Sequence, residues 1–200
     1  MGLAQRREKF AGIWDRDPHD FYVEPNWVSE RLFEEERFKG VVTDPACGLG
    51  RIVATRRRWG MAVGSDIVRR GPACDFVSDF LSEEWSGYAQ NFVSNPPFGC
   101  ADQFVELAIK RAACKVAMLL PATWHFGAER SAWLQTTPLM RVLALTPRPS
   151  MPPGAVILAG EKPGGGTKDF AWYIWQRDFI GSPTLGWLNR DGFQRIGEVT

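Results

Sequence analysis

Apolar positions along this chain recur first at helical and then at strand spacing, and each change of period marks an element. The amphipathic stretch "SERLFEEERF" predicts a first helix, capped by Ser29 and turning Leu32, Phe33 and Phe38 inward. "GVVTDPACGLGRIVATRRRWG" follows as a buried strand, a glycine turn and a helix that stops at Gly60. Further strands are predicted at 61–67 ("MAVGSDI"), 73–80 ("ACDFVSDF"), 90–95 ("QNFVSN"), 114–121 ("CKVAMLLP"), 139–148 ("LMRVLALTPR") and 168–179 ("KDFAWYIWQRDF"). Helices are expected at 101–112 and 126–137. Strands alternating with helices predict an α/β fold: seven strands in a mostly parallel sheet, helices on both faces and right-handed crossovers. Residues 146–169, "TPRPSMPPGAVILAGEKPGGGTKD", are too rich in Pro and Gly for either period and read as a long loop, either functional or disordered.

Composition narrows this frame. Two hundred residues fit one domain across 1–200, and nothing in the sequence divides it. A formal net charge of +1 confines any nucleic-acid contact to a local patch. Cys47, Cys74, Cys100 and Cys114 form no CxxC pair, and His19 and His125 have no ligand partner at metal spacing, so no metal is expected. Reduced thiols, no membrane-length apolar run and a start without a signal-peptide core predict a cytoplasmic protein. Gly2 is followed by Arg at position six, which gives no lipidation motif.

Three groups of residues carry candidate chemistry. In "DPACGLG", Gly48 and Gly50 lie where a strand feeds a helix, so a ligand can approach the backbone closely. Val53 stands three beyond Gly50 where a dinucleotide fingerprint has glycine, which disfavours a nicotinamide cofactor. Asp44, Asp66 and Asp79 are expected at consecutive strand ends, where they would repel a pyrophosphate and attract a cationic cofactor. Asp66 is placed for ribose hydroxyls, and Asp79, with Phe80 beside it, for an adenine amine. The third group is "NPPF". Pro96 and Pro97 offer carbonyls without amides, Asn95 adds a side-chain carbonyl and Phe98 a flat apolar face, a corner suited to a planar ligand bearing an amino group.

With "DPACGLG" (Asp44–Gly50), "GSDI" (Gly64–Ile67), "SDF" (Ser78–Phe80) and "NPPF" in this order, the sequence resembles the class I S-adenosylmethionine-dependent methyltransferases. Within them it is similar to the amino-group DNA methyltransferases that act on adenine N6, small phage or prophage members included. The likeness covers roughly residues 20–145. It implies a Rossmann-like sheet whose last strand is antiparallel, with S-adenosylmethionine as cofactor. Asp44, Pro45, Ala46, Gly48 and Gly50 would hold its methionine part, Asp66 and Ile67 its ribose, and Asp79 and Phe80 its adenine. Residues 1–40 would close over it through "FYVEPNW", with Tyr22 and Pro25 as contacts, although the family more often has Thr-Pro there.

Asn95, Pro96, Pro97 and Phe98 would then form the catalytic corner, accepting the amine hydrogens of an adenine flipped out of DNA and stacking on its ring. A cytosine-ring enzyme would need a nucleophilic cysteine after a proline, and Cys47 follows Ala46. No separate target-recognition domain is expected. Trp124–Trp133 and the 147–168 loop are the candidates for reading DNA, with Arg148, Met151, Lys162 and Lys168 at the substrate, whereas Arg56–Arg58 read as a solvated helix face. Related corners also serve RNA base amines and protein glutamine amides, and a catalytically silent binding module is a further alternative.

Overall fold

The computed structural model describes residues 20–87, 89–162 and 164–192. Residues 1–19, including Gly2, His19 and the first half of the expected closing segment, lie outside the described residues. In chain order the elements are helix α1 (Asn26–Glu35), β1 (Val42–Asp44), α2 (Arg51–Arg57), β2 (Ala62–Asp66), β3 (Phe76–Val77) and β4 (Asn91–Ser94). Then come α3 (Ala101–Arg111), β5 (Lys115–Pro121), α4 (Ala128–Leu134), β6 (Leu139–Thr146), α5 (Gly154–Leu158), β7 (Phe170–Gln176) and β8 (Thr184–Asn189).

The strands form one sheet in the order β3-β2-β1-β4-β5-β7-β6-β8. β7 runs antiparallel to both its neighbours, β5 and β6, while every other pairing is parallel. The central strands are buried without alternation, as in parallel sheets covered on both sides. Two cores result. Met118, Leu120, Tyr173 and Trp175 face Phe104, Val105 and Ala108 of α3, while Ala117, Leu119, Trp172 and Ile174 face Val28, Leu32 and Phe33 of α1. The alternation along β7 sends Trp172 and Ile174 to one face and Tyr173 and Trp175 to the other, following the strand period. The Trp172 indole N–H also donates to the Val28 carbonyl at 3.1 Å, tying α1 to the sheet.

Four details differ from the sequence reading. The first helix starts earlier, after Pro25, so Ser29 is a buried helical residue rather than its cap; its hydroxyl reaches Asn26 O and the Thr55 hydroxyl. β3 shrinks to two residues because it sits at the sheet edge with one neighbour. The sheet has an eighth strand, β8, whose exposed Leu185 and Trp187 and interior Gly186 hide the usual strand pattern. Finally, the 146–169 loop contains the short helix α5.

Candidate active site

From β1 the chain winds outward to β2 and β3, then crosses back to β4 on the other side of β1. Such a switch point opens a crevice at the carboxyl ends of the strands. Asp44 is the last residue of β1, Asp66 the last of β2 and Ser94 the last of β4, with Asn95 next. A cavity of about 250 Å³ occupies this place. Of the residues expected from sequence, Tyr22, Asp44, Pro45, Ala46, Gly48, Asp66, Ile67, Asp79, Asn95 and Pro97 line it.

Other expected contacts fall elsewhere. Phe80 is a core residue, its ring packed on Trp85, Phe92 and Phe104, and Leu81 and Phe104 take its place on the wall. Gly50 caps α2 with φ of +79°, and a Cβ there would stand 2.2 Å from that of Ala73. Pro25 caps α1 away from the cavity. Pro96 is buried behind the corner.

Asp44 and Asp66 are held by backbone amides, one hydroxyl and the Arg70 guanidinium. Asp44, 1% exposed, accepts the Ser94 hydroxyl at 2.7 Å and the Ala46 amide at 3.2 Å. Burial drives its carboxyl well above the usual range, the Ser94 bond opposes this, and the charges of Glu24 and Asp66 add to it. Asp66 accepts the Gly48 amide at 2.8 Å on one oxygen, and Val68 N–H at 3.1 Å and Arg70 at 2.6 Å on the other. Five acids line the cavity, Asp20, Glu24, Asp44, Asp66 and Asp79, against two arginines, Arg51 and Arg70. The cavity therefore favours a cationic ligand. Burial pushes the Cys47 thiol upward, keeping it protonated and a poor nucleophile.

At the corner, the Asn95 amide nitrogen lies 3.0 Å from Tyr22 O and 3.0 Å from Glu24 Oε2. Two acceptors on one side identify that atom as the NH2 and leave Oδ1 facing the other way. Oδ1 is buried and has no hydrogen-bond partner. Phe98 opens a short 3-10 turn; its ring stacks on Tyr22 at 5.8 Å between centroids and lies 5.7 Å from Phe170.

The segment carrying Tyr22 and Glu24 is fastened by the distant Pro-rich loop. Val23 N donates to Pro152 O at 3.0 Å, and Gly154 N donates to Phe21 O at 2.7 Å, around a bridge between Tyr22 and Pro153. Prolines 152 and 153 have no amide to give, so Gly154 is the first donor available. Its missing side chain matters as well, because a Cβ would meet Phe21 Cε1 at 1.8 Å. Phe21 in turn lies 4.5 Å under the Arg70 guanidinium. Of the expected substrate residues, Met151 packs against the α1-side core, and Arg148 is paired with Asp169 at 2.7 Å. Lys162 and Lys168 are exposed in the same loop.

Glu24, Phe21, Arg51 and Arg70 are cavity residues that sequence reasoning did not assign. A lone charge between Val23 and Pro25 marks Glu24 in the sequence, but nothing local reports its partner. Among the described residues no cluster of three or more His, Cys, Asp or Glu could hold a metal, and no helix is long and apolar enough to cross a membrane.

No family model matches the chain, and neither does any curated protein. Solved structures do. The M protein of the type I restriction enzyme EcoKI aligns with a TM-score of 0.61 at 13% identity, over 86% of this chain and 49% of its own. A Listeria monocytogenes protein assigned to the class I S-adenosylmethionine-dependent methyltransferases aligns at 0.54 and 14% identity, over 94% and 70%. The 23S rRNA methyltransferase ErmE aligns at 0.53 and 14%, over 81% and 72%. This chain thus spans about half the length of the EcoKI protein. Sheet order, switch-point crevice and these likenesses together give the chain the Rossmann-like fold of class I methyltransferases.

Proposed function

We propose that this chain transfers a methyl group from S-adenosylmethionine to the exocyclic amine of adenine in DNA. The observation that carries the reading is the buried, unpartnered Oδ1 of Asn95, an acceptor beside the cofactor crevice whose orientation is held from behind. A buried acceptor left unmade costs about 1–3 kcal/mol, so the site favours a ligand that donates to it. The excess of acids in the crevice fits the cofactor's ammonium and sulfonium. When bound, S-adenosylmethionine supplies an electrophilic methyl.

The chain's own residues do the rest. Asp66 would accept the ribose hydroxyls, Asp79 the cofactor's adenine amine, and Asp44 would hold the methionine ammonium. Asn95 Oδ1 would accept a hydrogen bond from the target amine, which localises the nitrogen lone pair for attack, and the surplus proton of the methylated amine would leave to water. A base flanked by two rings needs about 7 Å, twice the contact distance of stacked carbons. Tyr22 and Phe98 stand 5.8 Å apart, so the Tyr22 ring moves aside when the base stacks on Phe98. Lys162 and Lys168 are exposed for backbone phosphates, and Arg148 joins them by exchanging Asp169 for a phosphate. The fold likeness to a restriction-enzyme M protein supports DNA as the substrate.

The test is transfer of labelled methyl to duplex DNA, single-stranded DNA, ribosomal RNA and glutamine-containing peptides, with nucleoside analysis of the product. N6-methyladenine in DNA is expected. Label found only in RNA or peptide, or no transfer at all, overturns the reading.

A further inference from the structure

We propose that Glu24 is a positioning residue that fixes the Asn95 amide with its carbonyl toward the substrate, a role that rests on the amine-transfer reading above. An asparagine amide has two orientations related by a half-turn, and only its neighbours choose between them. Here the NH2 sits 3.0 Å from the Tyr22 carbonyl and 3.0 Å from Glu24 Oε2. Turning it over would set Oδ1 against both oxygens. The bond to the carboxylate is charge-assisted and about twice as strong as a neutral one, so Glu24 is the larger of the two constraints.

Glu24 is itself held rigidly. Its side chain is 6% exposed. On one side Val23 is bonded to Pro152, on the other Pro25 starts α1, and Arg51 of α2 donates to the Glu24 carbonyl at 2.6 Å. The charged groups facing it are Arg51, which favours its ionised form, and Asp44 at the end of β1, which opposes it. Burial is the largest influence and raises its carboxyl above the usual range, against the bonds from its own backbone and Asn95. Protonation has a direct consequence. The neutral acid no longer attracts the NH2 by charge, and once the amide turns over it can donate its own O–H to Oδ1, which withdraws the acceptor from the substrate. Turnover therefore falls as pH drops through the raised Glu24 value.

Glu24→Gln removes the charge at constant shape, and the new amide can present either its oxygen or its NH2 to Asn95. At saturating cofactor its kcat on DNA is expected to fall roughly 10–100-fold, the scale of a misplaced reacting group, with KM for DNA within about threefold of wild type. The Glu24 part of the acid limb of the kcat–pH profile should disappear with it, leaving that of Asp44, and Glu24→Asp should recover part of the rate. Asn95 is read directly by its side-chain amide signals in 15N NMR, assigned by their loss in Asn95→Ala. They should shift with pH in the wild type and not in Glu24→Gln, whose spectrum also reports folding. A Glu24→Gln protein with wild-type kcat and its acid limb intact overturns the proposal, as do Asn95 signals indifferent to the substitution. If the wild type methylates no DNA, RNA or peptide, the functional reading fails instead, and the amide signals still decide whether Glu24 governs Asn95.

Discussion

Replacing Asp44 by Asn should make the cofactor-free protein more stable while impairing its binding of S-adenosylmethionine. Asp44 keeps a carboxylate at 1% exposure with two hydrogen bonds, from Ser94 and Ala46, and with Glu24 and Asp66 as charged neighbours. The asparagine oxygen can retain both bonds without the charge. Exchanging buried charge for neutral groups of similar volume stabilises proteins by about 1–4 kcal/mol. For about 200 residues each kcal/mol corresponds to roughly 2–4 °C in Tm.

The pH dependence gives a second reading of the same cost. Because the carboxyl is raised in the folded state, the native protein binds more protons than the unfolded chain between the ordinary value, near 4, and the raised one. Stability is thus highest at the acid end of that window and is lost as pH rises through the raised value. Calorimetric melts of wild type and Asp44→Asn across this range should converge at its acid end and separate above it. Titration with S-adenosylmethionine should show a loss on the order of 1.5–3 kcal/mol, the value of a hydrogen bond to a charged group, or about 10–150-fold in Kd. A variant that melts below wild type throughout, or whose separation does not grow with pH, refutes the reasoning.

Asn95→Ala should lower kcat on DNA at least about 10-fold with cofactor affinity unchanged, whereas Phe98→Ala should also raise KM, as steady-state kinetics will show. Gly154→Val should displace Phe21, weaken cofactor binding by about 1–3 kcal/mol and leave the core intact, measured by calorimetry and near-UV circular dichroism. Replacing residues 161–168 with a short Gly-Ser linker should retain cofactor binding and lower DNA affinity, flattening its salt dependence in fluorescence anisotropy. An earlier cut at Gly154 would confound that test, because Gly154 bonds to Phe21.

The sequence was most legible where one residue type serves one backbone need. Gly48 in the turn after β1, acids closing β1 and β2, and Asn before two prolines are local statements, and the folded chain brings them to one crevice. Phe80 shows the limit. Its neighbour Asp79 is on the wall, but β3 ends at Val77 and the turn that follows it sends Phe80 into the aromatic core. Glu24 was illegible for a different reason: its partner Asn95 lies 71 residues away, and no local pattern reports such a pairing. β8 escaped because its apolar residues Leu185 and Trp187 face outward, so its strand character rests on the hydrogen-bond ladder to β6.

The bond from Gly154 to Phe21 also orders events during synthesis. The acids and the Asn95 corner leave the ribosome long before Pro152 and Gly154 do. Until then the Phe21–Glu24 segment has only its contacts with Arg51, Arg70 and Asn95, and the two backbone bonds to the loop cannot by themselves offset the entropy of closing a loop of some 130 residues. A nascent or prematurely terminated chain that stops within β6 would carry every acid of the crevice beneath an unfastened cover. The cover over the crevice is thus fastened to the loop only once the chain through Gly154 has been made.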